Sequence, residues 1–363
     1  MIKNPQEFLT IEQQIELLQE RHLIINNIPS AKKALQTYDY YEIINGYKQN
    51  YIIKQDNHNE VFKPNVSFEQ IFSLFEFDRG LRHMVMSSLI DLEEHMRSLI
   101  SYILAKHYTS EHELYLNSRN YVNCKTNNEH WTKSAILASL NHAIENPKPP
   151  VTYHLREYGN VPPWVLLKQI YMSTLFNFVR ILKPELKTEL IMLAYGVPKE
   201  IAEKEAIKSL FLESLIFFLD YRNMAAHGNR MYNFIPKHDI SISQKTIDEL
   251  HKYNFDLEEI KYSYGLAKLT YLLDLFDYKG PYKNIERIFD FEVRRHCQMY
   301  PNDLHHLLTS TGYIPERIAI KNGNIQYTLS QLINDNGVLD VQKYNQLFKP
   351  NEIDKEVAIT KET

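Results

Sequence analysis

Arg222-Asn223-Met224-Ala225-Ala226-His227, with Gly228 directly after, gathers the side chains that RNA cleavage without a metal would use. Such cleavage needs one group to take the proton of a ribose 2′-hydroxyl and another to protonate the departing 5′-oxygen. It also needs a fixed cation beside the charged phosphorane. Histidine changes charge near neutral pH, and arginine offers a permanent planar fork for phosphate oxygens. Asn223 can hydrogen-bond substrate or orient the imidazole. On an ideal helix, residues five apart are turned by about 140°, so Arg222 and His227 diverge. A frayed last turn at Gly228 would let the ring swing into a cleft with Arg222. Spacing alone is weak support in a chain with 15 histidines, where a helix-end histidine is more often a cap or a packed ring.

The element that must carry these residues follows Pro198 and reads KEIAEKEAIKSLFLESLIFFLDYRNMAAH. Its apolar positions Ile207, Leu210, Phe211, Leu215, Phe218 and Tyr221 share one helical face, and Gly228 is a natural C-cap. The longest stripe begins at Ser67 and runs through Phe68, Ile71, Phe75, Leu81, Val85, Leu89, Leu92, Met96, Leu99 and Ile103, with Gly80 a candidate break. Thr10 to Gln19 reads as a helix with a Thr N-cap, and Pro29-Ser30 starts a short one through Leu35. The aromatic run from Tyr38 is compact, with Gly46 ending a helical turn. Asn117 to Glu129 reads as a loop and Trp131 to Ile144 as a helix. Pro147, Pro149 and Pro150 prevent its continuation. Pro162-Pro163 opens a helix from Trp164 to about Leu182. Further helices are expected over Leu257–Tyr278 and Asn284–Cys297, and a hairpin around Asn322-Gly323. The sum is a mainly α chain: a small helical N-terminal module (1–65), a helical bundle (66–300), and a C-terminal hairpin/helix appendage with a charged tail (301–363).

Composition narrows the function classes. With 10 glycines in 363 residues, turns are few and elements long. A net charge of −4 argues against broad, non-specific nucleic-acid binding but leaves room for a local basic groove. Lys279, Lys283, Arg287, Arg294 and Arg295, with Tyr282 and His296 close by, are the best such surface. The interspersed Glu286, Asp290 and Glu292 fit a solvated helix face equally well. Lys32-Lys33 is a weaker basic candidate. Two cysteines, Cys124 and Cys297, suit a reducing compartment. Without an apolar leader or a run of about eighteen apolar residues, a cytoplasmic protein with no membrane contact is expected. His305-His306 lacks metal-site spacing, and no metal or other cofactor is expected. Trp164 reads as a core anchor. Glu93 and Arg97 stand at i, i+4, a favourable helical ion pair that could also orient Arg222 from a neighbouring helix. Asp78 and Arg79 carry the same ambiguity.

The string YRNMAAHGNRMYN resembles the signature of Abi-like abortive-infection proteins, an R-N-x-x-A-H core followed by an Arg/Asn/aromatic run. Tyr40-Tyr41 with Asn45-Gly46-Tyr47 resembles that family's early YY…GY element. Phe77-Asp78-Arg79 with Leu81-Arg82, then Glu93 and Arg97, resembles its FDR-x-LR helix. His154…Tyr158-Gly159 leading to Pro162-Pro163-Trp164 resembles its H…YG…PPW element. The four segments follow in order over residues 35 to 235, and their combination is specific.

The resemblance implies a helical bundle of the HEPN superfamily, a homodimer, and a composite cleft that cleaves RNA to a 2′,3′-cyclic phosphate and a 5′-hydroxyl. Arg222 and His227 match the catalytic pair and Asn223 the polar residue after the arginine. Glu93, Arg97, Arg230 and Tyr232 are the supporting residues. Family members often carry a second histidine directly after the first. Here Gly228 stands in that place, so two copies of the chain would be needed to supply two histidines. The expected function is an endoribonuclease toxin of phage defence, restrained by a small structured RNA or another antitoxin. The alternative is a non-catalytic RNA- or protein-binding module on the same scaffold, which the single histidine and negative charge favour. A purely structural helical dimer is the third reading.

Overall fold

The computed structural model describes residues 8–54, 60–124, 128–237, 239–253, 255 and 257–313. Over these the protein is mainly helical, with one two-stranded sheet. Helix α1 (Ile11–Glu20) opens on a reciprocal cap, in which the Thr10 hydroxyl accepts from the Gln13 amide and the Gln13 side chain from the Thr10 amide. Helix α2 (Ile28–Tyr38) is capped by Asn27 and runs three residues past its expected end. Gly46 keeps right-handed helical angles (φ −64°, ψ −36°) after a π-helical turn over Tyr41–Asn45, so it does not end a turn. Strands β1 (Ile52–Lys54) and β2 (Glu60–Phe62) pair antiparallel with Ile53 opposite Val61. Strands of three residues are too short to show alternation in sequence.

Helix α3 (Phe68–Tyr108) is continuous for 41 residues. It passes straight through Gly80, where an added Cβ would lie 2.5 Å from the Glu292 carboxylate. The glycine marks a close approach of another side chain, not a break. The expected stripe is buried, except that Leu99 is half-buried and Ile100 takes the inward position.

Helices α4 (Lys133–Glu145) and α5 (Val151–Tyr158) follow. The helix expected from Trp164 to Leu182 is broken. A turn over Pro163–Leu166 and a 3-10 turn over Leu167–Gln169 end at extended Ile170 (φ −92°, ψ 135°), and α6 (Met172–Ile181) starts afresh. Trp164 is 51% exposed, so it is not the core anchor expected. Pro163, Val165 and Leu166 fill the core there instead.

Helix α7 (Pro184–Tyr195), which the sequence reading did not anticipate, precedes α8 (Glu205–Ala226) and α9 (Gln244–His251). The helix expected over Leu257–Tyr278 is interrupted at extended Ser263 and Tyr264, leaving Glu258–Tyr262 and α10 (Gly265–Asp274). Helices α11 (Gly280–Met299) and α12 (Leu304–Thr311) follow. The hairpin expected at Asn322-Gly323 and the charged tail lie outside the described residues.

The chain divides into two compact units. Among the described residues, one contains those up to 81 with 289–309, the other those from 82 to 288 with 310–313. In the first, the Tyr47 hydroxyl donates to buried Asp78 at 2.7 Å. Arg79 hydrogen-bonds the Tyr38 hydroxyl, with its guanidinium 5.0 Å from that ring's centre. Asp78 and Arg79 therefore tie the aromatic segment to α3.

A second buried network centres on Asp303, whose Oδ2 lies 2.9 Å from His296 Nε2 and accepts from the Tyr51 hydroxyl at 2.7 Å and the Gln70 amide at 2.9 Å. Burial pushes this carboxyl up, but the hydrogen bonds from His296, Tyr51 and Gln70 outweigh it and hold Asp303 below its ordinary value. A depressed carboxyl stabilises the fold above its unfolded pKa, and that contribution is lost as the pH falls through the folded one. Asp303→Asn should therefore lower stability by about 3 kcal/mol at neutral pH. In urea unfolding the gap to wild type should narrow as the pH drops below the ordinary carboxylate range.

Candidate active site

The second unit holds Arg222, Asn223 and His227. Helix α8 buries Ile207, Leu210, Phe211, Leu215, Phe218 and Tyr221, the face anticipated from spacing, and packs against α6, α7 and α10. Its end is closed, not frayed. The His227 amide still donates to the Asn223 carbonyl at 3.1 Å, the Gly228 amide to Ala225 at 3.2 Å and the Asn229 amide to Met224 at 3.2 Å. The last two bonds form a Schellman closure, with Gly228 in the left-handed region at φ +72°. The frayed turn expected from sequence is absent because these bonds satisfy the helix's last carbonyls.

Arg82 of α3 grips the closed turn, its guanidinium donating to the Gly228 carbonyl and lying 3.4 Å from the Asn229 carbonyl. A cation here also meets the negative end of the helix dipole. Beyond it the chain is anchored by buried Met231 and Tyr232 and by the Tyr221 hydroxyl donating to Phe234 at 3.0 Å. His227 stands exposed on this held turn.

Arg222 is half-buried and shares with Asn223 an open depression of about 100 Å³, completed by Tyr171, Met172, Ser173 and Leu219. Its Nη1 lies 3.4 Å from Asn223 Oδ1, and its Nε is shielded from solvent without a hydrogen-bond partner among the described residues. Arg222 and Asn223, neighbours in sequence, thus share the depression, and His227 is not among its lining residues.

Glu93 and Arg97 form the expected ion pair, with Glu93 only 8% exposed. Burial raises the Glu93 carboxyl above its ordinary value, against the opposing charges of Arg97 and Arg222. Arg97 also donates to the Ile170 carbonyl at 3.0 Å. The pair thereby holds the backbone at the break before Tyr171, and the field of Arg222 falls on Glu93. It is neither a solvated pair nor remote from the candidate site.

Arg230 is exposed and Tyr232 buried. Of the basic residues on or beside α11, Lys279 pairs with Asp274 at 3.0 Å, Arg294 with Asp290, and Arg295 with Glu292 at 2.7 Å. Lys283 and Arg287 are exposed. His305 is exposed and His306 half-buried. Among the described residues no three of His, Cys, Asp and Glu come together to hold a metal ion. Sequence reasoning missed Arg82 and Tyr171 as neighbours of the site. Arg82 was visible only as part of the FDR-x-LR segment, and Tyr171 was hidden inside a stretch that read as helix.

Arg97→Met should lower stability by about 3 kcal/mol, because Glu93 is left buried without its ion-pair partner, and adding Glu93→Leu should recover most of that loss. Equal stability of the single and double variants in urea unfolding would refute this role of the pair. Gly228→Ala has open space for its Cβ, so only backbone strain of about 1 kcal/mol is expected, with Gly228→Asn losing less. Thermal unfolding compared across these variants measures it.

The model of the family described as Abi-like protein matches residues 33–233, more than half of the chain. That span contains the YY…GY, FDR, PPW and Arg222/His227 segments. No curated protein and no solved structure matches at a significant level. Among the described residues no helix is long and apolar enough to cross a membrane. The chain belongs to the Abi-like protein family, whose name points to abortive infection and phage defence.

Proposed function

We propose that this protein is an abortive-infection endoribonuclease of HEPN type, cleaving RNA through Arg222 and His227 at a site completed by a second copy of the chain. One observation carries the reading. Arg222 and Asn223 line an open depression, while His227 stands exposed on a closed, gripped turn that does not reach it. A single chain therefore presents one exposed histidine that is not among the residues lining the depression of Arg222 and Asn223. In a dimer one composite cleft would draw on Arg222 and His227 of both copies, and the second copy supplies the second histidine that acid–base cleavage needs.

In this mechanism one imidazole takes the 2′-hydroxyl proton as that oxygen attacks phosphorus. The P–O5′ bond breaks, and the other imidazole, protonated, gives its proton to the departing oxygen. The products are a 2′,3′-cyclic phosphate and a 5′-hydroxyl. Arg222 holds the non-bridging oxygens as charge builds on them, and Asn223 orients the substrate or the ring. In the resting cell the enzyme is restrained by a bound structured RNA or another antitoxin covering the cleft.

The test expresses wild type and the Arg222→Ala/His227→Ala double variant, with and without phage, and maps new RNA ends. Growth arrest with 5′-hydroxyl ends at defined positions is expected from wild type alone. In vitro, either single substitution should lower kcat by about 10²- to 10⁴-fold. A well-folded double variant that arrests growth and leaves the same ends would overturn the assignment.

A further inference from the structure

Tyr171 leaves 77% of its surface in solvent, although Ile170 and Met172 on either side are 5% and 3% exposed. Its backbone is held at both ends. Arg97 takes the Ile170 carbonyl at 3.0 Å, and the Tyr171 carbonyl accepts the Leu175 amide at 2.9 Å at the start of α6. The ring therefore projects from a fixed root. Tyr171 borders the same depression as Arg222 and Asn223. An arginine and an exposed tyrosine lining one open depression match the two ends of one nucleotide, phosphate and base.

We infer that Tyr171 is a stacking platform for an unpaired base adjoining the phosphate held by Arg222, so that the RNA taken at this site is single-stranded. The inference rests on the RNA-cleaving reading above. In a duplex both faces of each base are covered by its neighbours, whereas loops and single strands leave faces free for an aromatic side chain. Every base has such a face, so Tyr171 selects strandedness more than sequence. The break in the helix after Gln169 leaves Tyr171 beside the depression, and Arg97, paired with Glu93, bonds the backbone at that break through the Ile170 carbonyl.

The experiment measures binding of a fluorescein-labelled RNA of about twelve nucleotides, single-stranded or annealed to its complement, by anisotropy. The full chain carrying His227→Ala is used, so that binding is read without cleavage. Tyr171→Ala in this background should weaken single-strand binding by about 5- to 100-fold and leave duplex binding unchanged, while Tyr171→Phe and Tyr171→Trp keep the affinity. The factor lost with Tyr171→Ala should hold as salt rises, whereas that lost with Arg222→Ala should shrink. If Arg222→Ala weakens binding and Tyr171→Ala does not, this inference fails while the cleavage reading stands. If Tyr171→Phe loses as much as Tyr171→Ala, the hydroxyl and not the ring face is the contact, and stacking is overturned. If neither Arg222→Ala nor Tyr171→Ala changes binding, the RNA reading itself falls and takes this one with it.

Discussion

A carboxylate withdrawn from water on a long helix requires positive charge beside it, and Glu93 obtains that charge from Arg97 on its own helix and from Arg222 on α8. The requirement orders more than the pair itself. Arg97, held by Glu93, has a second donor to give, and it gives it to the Ile170 carbonyl. That bond falls where the chain leaves a 3-10 turn and restarts as α6. The depression lined by Tyr171, Met172, Ser173, Leu219, Arg222 and Asn223 is therefore walled by a backbone that one buried ion pair keeps in place. Removing either charge would leave the other stranded in a poorly solvated site, which is why such pairs are hard to break singly.

The end of α8 shows the same economy of means. Four carbonyls at a helix C-terminus need partners, and here the His227, Gly228 and Asn229 amides donate to those of Asn223, Ala225 and Met224, while Arg82 holds the turn just beyond. Gly228 supplies the left-handed turn, which a residue with a Cβ adopts only under strain. Arg82 brings a positive charge to the negative end of the helix and joins α3 to the turn. His227, one residue earlier, consequently sits on backbone fixed from both directions while its ring remains in solvent.

Not every segment of the family pattern serves that site. Asp78 and Arg79 are used within the first unit, where Tyr47 and Tyr38 close on them. The aromatic YY…GY segment and the FDR segment are two sides of one internal contact. The PPW segment is also structural in part, since Pro163, Val165 and Leu166 enter the core while Trp164 does not. Residues that recur together in a motif can thus be divided between holding the fold and presenting the site, and only contacts tell them apart.

Arg222 and His227 were singled out by the family resemblance, whereas the helical class, the long stripe of α3 and the apolar face of α8 were legible in the amino-acid sequence itself. Each rests on short-range rules: a repeat near 3.6 residues, a capping side chain, a glycine after the last turn. Those rules act within a few residues and survive in any surroundings. Tertiary structure decided what depends on partners distant in sequence. Gly80 looked like a break and is a point of close approach to Glu292. The stretch from Trp164 to Leu182 looked like one helix and is divided at Ile170, where a carbonyl 73 positions from Arg97 meets its guanidinium. Arg82 gave no local sign of its role, because its acceptors lie 146 and 147 residues away. Helix periodicity is a property of neighbours in the chain, whereas the walls of a site are made by neighbours in space.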